Sequence, residues 1–336
     1  MDQSKIGFLS SHKVDMHIEL QLVKEYLTTH SDRFTFQYCC RNERIKNYFR
    51  KKGAVQARKY FQNEPQHLIC ADDSLRDKPY QKGTPFKRIL LASPANYLFD
   101  TNAENKATLT GYSHIISTGP MITRLLKEHY DLSYCELVDR TMSPLAEYLC
   151  DPDIQASSRK LMDQYYPYSK GKKILAMFFF GKDPKEEGKI FGDLDPEKLI
   201  AALGDEWFIM INSDTLMGIA EKLPARYLGS IGSTKNLCQT WKILPCCEAL
   251  VTNDSLYTGA FASRRKPYYC IKYQNNLFED YMKQNHPSLY LEKITALYDL
   301  NLDTDEYLSG HPEFFRDFCF DEPSGSCESI LKILSE

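Results

Sequence analysis

Two α/β domains built on parallel sheets are what this sequence predicts, and three observations carry that reading. Short apolar runs alternate with segments of helical apolar spacing along the chain. One polar stretch, Asp151 to Gly171, interrupts the alternation near the middle. The 336 residues are too many for one ordinary core and enough for two.

The first series opens with a strand from Ile6 to Ser10. Ile18, Leu22 and Tyr26 then recur at helical spacing within Val14 to Thr29. Phe34 to Cys39 reads as the second strand. Glu43 to Phe61 reads as a basic helix interrupted at Gly53. Strands follow at His67 to Ala71, Arg88 to Ala92, Tyr112 to Ser117 and Tyr134 to Val138, with a helix from Pro120 to Tyr130 before the last.

The second series begins with Lys173 to Phe180, a run too apolar to be half exposed and therefore central in its sheet. A helix spans Asp195 to Leu203, with Pro196 suited to its first turn. Trp207 to Asn212 is a strand, Leu216 to Lys222 a short helix, and Tyr227 to Ile231 a strand. Leu237 to Cys246 reads as a helix between that strand and Ala249 to Thr252, and Pro267 to Ile271 closes the series. The division expected is 1–160 for the first domain, 172–312 for the second, and a tail, 313–336, that packs back toward the first.

Composition narrows the function. Apolar content of 43% and charged content of 26% are those of a soluble globular protein, and a net charge of −3 speaks against nucleic acid as partner. The cysteines number eleven, an odd count, with no CxxC pair. They read as reduced core thiols of a cytoplasmic protein rather than a zinc ribbon or redox motif. Met1 to Leu9 is too short and polar for a signal peptide. The most apolar run, Ile174 to Gly181, is eight residues long, against about 20 for a bilayer span. The basic run Arg41 to Lys59, interleaved with Tyr48 and Phe49, fits either a solvated amphipathic face or peripheral contact with an anionic inner membrane surface.

Several short stretches, in order and spacing, carry a family resemblance. They are Gln81-Lys82-Gly83-Thr84-Pro85-Phe86-Lys87-Arg88, Asp139-Arg140 with Pro144-Leu145, Phe179-Phe180-Gly181-Lys182-Asp183, Val251-Thr252-Asn253-Asp254-Ser255, and Arg265-Lys266-Pro267. Together, over residues 55 to 285, they resemble the CDP-glycerol glycerophosphotransferases of teichoic-acid synthesis. The resemblance implies a GT-B-like layout, in which two Rossmann-like domains face each other across an interdomain cleft. It implies a CDP- or CMP-linked nucleotide donor in the second domain, a glycan or lipid-linked acceptor, and no metal or other cofactor. Three departures stand out. Lys82 occupies the position of the family's first histidine. The second histidine, at the end of the Trp207–Asn212 strand, is replaced by the turn Asn212-Ser213-Asp214. Leu256 replaces one of two paired serines.

The candidate residues follow from both readings. Donor binding falls to Gly181, Lys182, Ser213, Thr252, Asn253, Asp254 and Ser255, which follow strands of the second sheet. Thr252 to Ser255 fits a phosphate cradle at a helix start and equally a helix cap. The catalytic candidates are Lys82, His114 and Asp139, with Gly83, Thr84, Lys87 and Arg140 on the acceptor or its phosphate. Lys82 is open to three readings: a base with a depressed pKa, a phosphate contact, or a solvated loop lysine. His114 fits a cleft or a structural role, and Asp139–Arg140 a base or a local ion pair. Asp193-Leu194-Asp195 has the spelling of a metal pair but reads better as an acid-rich helix start. Three functions remain: polyol-phosphate transfer from a CDP-linked donor, glycosyl transfer from a nucleotide sugar such as CMP-sialic acid, and a silent scaffold that binds a glycan or a partner.

Overall fold

A computed structural model describes residues 4–10, 18–40, 55–56, 67–71, 80, 85–93, 107–180, 191–227, 229–234, 239–272 and 277–336. The chain forms two units, Met1–Glu147 with Arg316–Glu336, and Tyr148–Phe315.

The first unit carries strands β1 (Ser4–Ser10), β2 (Phe34–Cys40), β3 (Val55–Gln56), β4 (His67–Cys70), β5 (Arg88–Ala92), β6 (Ala107–Thr108), β7 (His114–Ser117), β8 (Tyr130–Asp131), β9 (Glu136–Val138) and β10 (Thr141–Met142). Seven of them form one parallel sheet in the order β3-β2-β1-β4-β5-β7-β9. Alternate residues of β1, Ile6 and Phe8, enter one core with Leu20, Val23 and Leu27 of the Ile18–His30 helix. Ile330, Ile333 and Leu334 of the Ser326–Ser335 helix fill the same core. The C-terminal segment thus belongs to the first unit, and Ser324–Gly325 pairs in parallel with β10.

The second unit carries β11 (Lys173–Phe178), β12 (Trp207–Ile211), β13 (Ile231–Ser233), β14 (Ala249–Thr252), β15 (Tyr268–Ile271) and β16 (Tyr290–Leu291). All are parallel, in the order β13-β12-β11-β14-β15-β16. β11 lies inside the sheet, and its residues from Ile174 to Phe178 are all buried. Asp195 caps the Pro196–Leu203 helix, its Oδ1 accepting from the N–H groups of Glu197 and Lys198 at 3.0 and 3.2 Å. Gly204, at φ 76°, ends that helix in a conformation that favours glycine.

The structure departs from the sequence reading at several points. The change of unit falls at 147/148, ahead of the polar stretch. The reason is the Pro152–Tyr165 helix, which docks in the second unit. Ser158 Oγ donates to the carbonyls of Lys242 and Ile243 at 2.8 and 3.1 Å, and Arg159 donates to the Lys172 carbonyl at 2.8 Å. Val55–Gln56 is a strand beside Cys39–Cys40, not part of a basic helix. The rest of that expected helix lies outside the described residues. Where Leu237 to Cys246 reads as a helix, the described part forms two 3-10 turns, Thr240–Lys242 and Leu244–Cys246. Pro245, with no N–H, cannot extend an α-helical ladder. The strand expected over Tyr227 to Ile231 begins instead at Ile231, after a 3-10 turn at Ala225–Tyr227.

Candidate functional site

In a parallel α/β sheet, ligands gather at the carboxyl ends of strands, where the strand order reverses. In the second unit the chain runs from β11 outward to β12 and β13, then returns to place β14 on the other side of β11. The reversal therefore lies between β11 and β14, and three short turns meet at that edge.

The first turn follows β14. Thr252 is fully buried, and its Oγ1 accepts from Asp254 N–H at 3.2 Å. Asp254 caps the Ser255–Ala262 helix, with Oδ1 accepting from Leu256 N–H at 2.8 Å, and its carbonyl accepts from Thr258 Oγ1 at 2.9 Å. Ser255 sits half-buried at the first helical position. The second turn follows β12. Ser213 is buried and caps the Asp214–Ala220 helix, its Oγ accepting from Leu216 N–H at 3.2 Å. The third turn is Phe179-Phe180, beyond β11. Asn212 Oδ1 accepts from Phe179 N–H at 2.7 Å, and Asn253 Oδ1 accepts from Phe180 N–H at 2.9 Å. The Phe180 ring stacks on Tyr257, centroids 5.1 Å apart at 12°. Burial, with the Asp254 carboxylate beside it, pushes the Tyr257 hydroxyl well above its usual range, so it remains a neutral phenol.

Of the donor residues named from sequence, Thr252, Asn253, Asp254 and Ser255 share this edge with Ser213. Gly181 and Lys182 lie outside the described residues. Asp254 and Ser213 cap their helices, Thr252 bonds within the turn, and Ser255 stands at the helix start. Sequence reasoning overlooked Asn212 and Phe180. A polar carboxamide directly after a buried strand was the available signal.

The residues named in the first unit separate. Lys82, Gly83 and Thr84 lie outside the described residues. Lys87 immediately precedes β5, and its N–H donates to His67 Nδ1 at 3.1 Å. His114 opens β7, beside Ile89 and Glu136 in register. Lys87 and His114 therefore lie at the amino-terminal edge of the sheet, opposite the edge where such folds bind ligands. His114 is buried, with Nδ1 2.9 Å from Ser113 Oγ and Nε2 3.6 Å from Glu136 Oε2. Burial lowers its pKa; Glu136 opposes that shift and Lys87 adds to it. Asp139 and Arg140 occupy the carboxyl edge after β9. Asp139 pairs with Lys127 at 3.1 Å rather than with Arg140, both side chains being well exposed. Arg140 adopts φ 60°, and its carbonyl accepts from Ser324 N–H at 3.0 Å. The carboxyl edge also holds Ser117, whose Oγ lies 2.7 Å from Thr123 Oγ1, and the Pro120–His129 helix, which has no capping side chain at Gly119.

No family model matches the chain, and no curated protein sequence matches it. Solved structures do. The wall teichoic acid polymerase TagF, as a histidine-to-alanine variant, superposes with a TM-score of 0.68 at 15% identity, covering 99% of this chain and 88% of that chain. A second TagF variant, soaked with CDPG, gives a TM-score of 0.66 at 16% identity with 99% and 88% coverage. UDP-GlcNAc 2-epimerase from Neisseria meningitidis, bound to UDP-GlcNAc, gives a TM-score of 0.54 at 8% identity, covering 98% and 99%. The likeness is one of fold, over the length of the chain. It agrees with the GT-B-like pair of Rossmann-like units that the sequence resemblance implies. No helix among the described residues is long and apolar enough to cross a membrane.

Proposed function

We propose that the chain is a transferase that moves a polyol phosphate, or a related phosphorylated group, from a CDP-linked donor to a glycan or lipid-linked acceptor during cell-surface polymer synthesis. One observation carries this reading. The turn Thr252 to Ser255, which resembles the family's donor stretch, stands where the strand order of the second sheet reverses. The full-length fold likeness to TagF supports it.

Such a transfer requires three things: a held diphosphate, a neutralised leaving phosphate, and an acceptor hydroxyl that loses its proton. Backbone N–H groups at the start of the Ser255–Ala262 helix, with the Ser255 hydroxyl, supply neutral donors to phosphate. Lys182 supplies the cation, so the donor site needs no metal. Lys82 acts through its charge, because a lysine of ordinary pKa, about 10.4, is a poor base near neutral pH. In this reading the protein works in the cytoplasm, at the inner membrane face, where the basic run Arg41 to Lys59 meets anionic lipid.

The second reading is glycosyl transfer from a nucleotide sugar, and the fold likeness to a UDP-GlcNAc-bound epimerase favours it. Thermal shift against CDP, CMP, UDP and GDP separates cytidine-linked donors, polyol phosphate or CMP-sugar, from uridine- and guanosine-linked sugars. Stabilisation by CDP or CMP above the others is expected. Preference for UDP or GDP moves the case to the nucleotide-sugar reading. No response to any nucleotide sinks both and leaves the scaffold.

A further inference from the structure

Asn212 and Asn253 stand one residue beyond β12 and β14, the two strands that flank β11. They make the same pair of bonds from opposite sides. The Asn212 carboxamide accepts from Phe179 N–H at 2.7 Å and donates to Phe179 C=O at 3.0 Å. The Asn253 carboxamide accepts from Phe180 N–H at 2.9 Å and donates to Phe180 C=O at 2.9 Å. The backbone ladder has ended there, because both flanking strands turn into helices that begin at Asp214 and Ser255. Two side chains take the place of two strands and carry β11 two residues further. Consecutive residues of an extended chain present their N–H and C=O groups to opposite neighbours, so one asparagine takes Phe179 and the other Phe180. The task needs a donor and an acceptor on one short neutral side chain, which a carboxamide provides.

Asn212 opens the Asn212-Ser213-Asp214 turn, and Asn253 follows Thr252 in the Val251–Ser255 stretch. We infer that Asn212 and Asn253 are a matched pair of positioning residues, which fix the exit of β11 and the Phe180–Tyr257 stack against the donor diphosphate. The inference rests on the donor-site reading above. A neutral clamp adds no carboxylate charge to an edge that already holds Asp254, whose Oδ1 is committed to the helix cap, and Asp214 at the start of the next helix.

Calorimetric titration of the full chain with CDP tests it. Asn212→Asp and Asn253→Asp each keep the acceptor, lose the donor and add a charge facing a carbonyl. Each is expected to weaken CDP binding about tenfold at about pH 8. Near pH 5 binding should recover toward the wild-type value at that pH, because burial and the facing carbonyl raise the pKa of the introduced carboxyl, which once protonated again donates to that carbonyl. Asp254 and the Tyr257 phenol near residue 253, and Asp214 two residues beyond 212, are present in every variant and cancel in that comparison. A purely structural role would lower the melting temperature and leave the affinity of the folded protein unchanged at both pH values. Affinities within twofold of wild type for both variants overturn the inference while the donor-site reading stands. A wild-type chain that binds neither CDP nor CMP overturns both. If the aspartates melt too readily, Asn212→Ser and Asn253→Ser decide the matter: weaker CDP binding without recovery at low pH supports positioning, and unchanged binding refutes it.

Discussion

Glu147 caps a helix that begins 179 positions further along the chain, at Ser326. Its Oε1 accepts from Ser326 N–H at 2.6 Å, Ser326 Oγ at 2.8 Å and Cys327 N–H at 3.2 Å. Burial raises the pKa of this carboxyl, and the hydrogen bonds from Ser326 and Cys327 only partly offset the rise. A raised carboxyl pKa means that stability is present below the unfolded value and is lost as pH rises through the folded one. Glu147→Gln keeps an oxygen for the three donors and removes that loss. It should therefore match or exceed wild-type stability at neutral pH, with the difference shrinking in acid. Glu147→Ala orphans three donors and should cost about 2–4 kcal/mol. Denaturant midpoints at several pH values check both.

His114 gives the opposite slope. Its folded pKa is lowered, chiefly by burial, so the unfolded chain takes up the proton first and stability falls as pH drops below the usual histidine value. His114→Asn should flatten the acid limb of a stability–pH curve. It should also leave nucleotide affinity within about twofold, since the residue lies at the amino-terminal edge of its sheet. A larger loss of affinity would place His114 in the site after all.

Gly232, inside β13, is closely surrounded. A Cβ there would lie 2.7 Å from Tyr166 Cε1 and 3.0 Å from both Met210 Sδ and Phe208 Cζ. Gly232→Ala is expected to destabilise the second unit by about 1–3 kcal/mol, read as a lower thermal midpoint.

Ser255→Ala should weaken CDP binding by about 1 kcal/mol if the hydroxyl bonds phosphate. Equal affinities by calorimetry, with the fold intact, would remove Ser255 from the site.

Lys82→Arg keeps the charge but cannot lose a proton at working pH. It is expected to retain most donor turnover, whereas Lys82→His should lose part of it near pH 8. An inactive arginine variant, with wild-type turnover rising with pH, would make Lys82 the base.

Much of the fold was legible because buried parallel strands announce themselves. Ile174 to Phe178 and Trp207 to Ile211 are unbroken apolar runs, and Pro196 behind Asp195 marks a helix start. What escaped depends on distant partners. Val55–Gln56 is hidden in a basic run and becomes a strand only against Cys39–Cys40. The unit boundary was misplaced because polar Ser158 and Arg159 look solvated until the carbonyls they bond are known. At the candidate site, Thr252 to Ser255 could be found from local spelling. The pairing of Asn212 with Asn253 could not, although each follows a buried strand, because they lie 41 residues apart, 212 against 253, and act together only through β11.

The second unit is one continuous stretch, Tyr148–Phe315, whereas the first is assembled from two. The chain therefore emerges from the ribosome with the second unit complete and the first unfinished. Until Ile330, Ile333 and Leu334 are made, the face that they cover over Leu20, Val23 and Leu27 stays open. A nascent chain of this kind exposes the core of its earlier-made part for as long as the later-made part takes to synthesise. The unit that begins first along the chain is thus the one whose core is completed last.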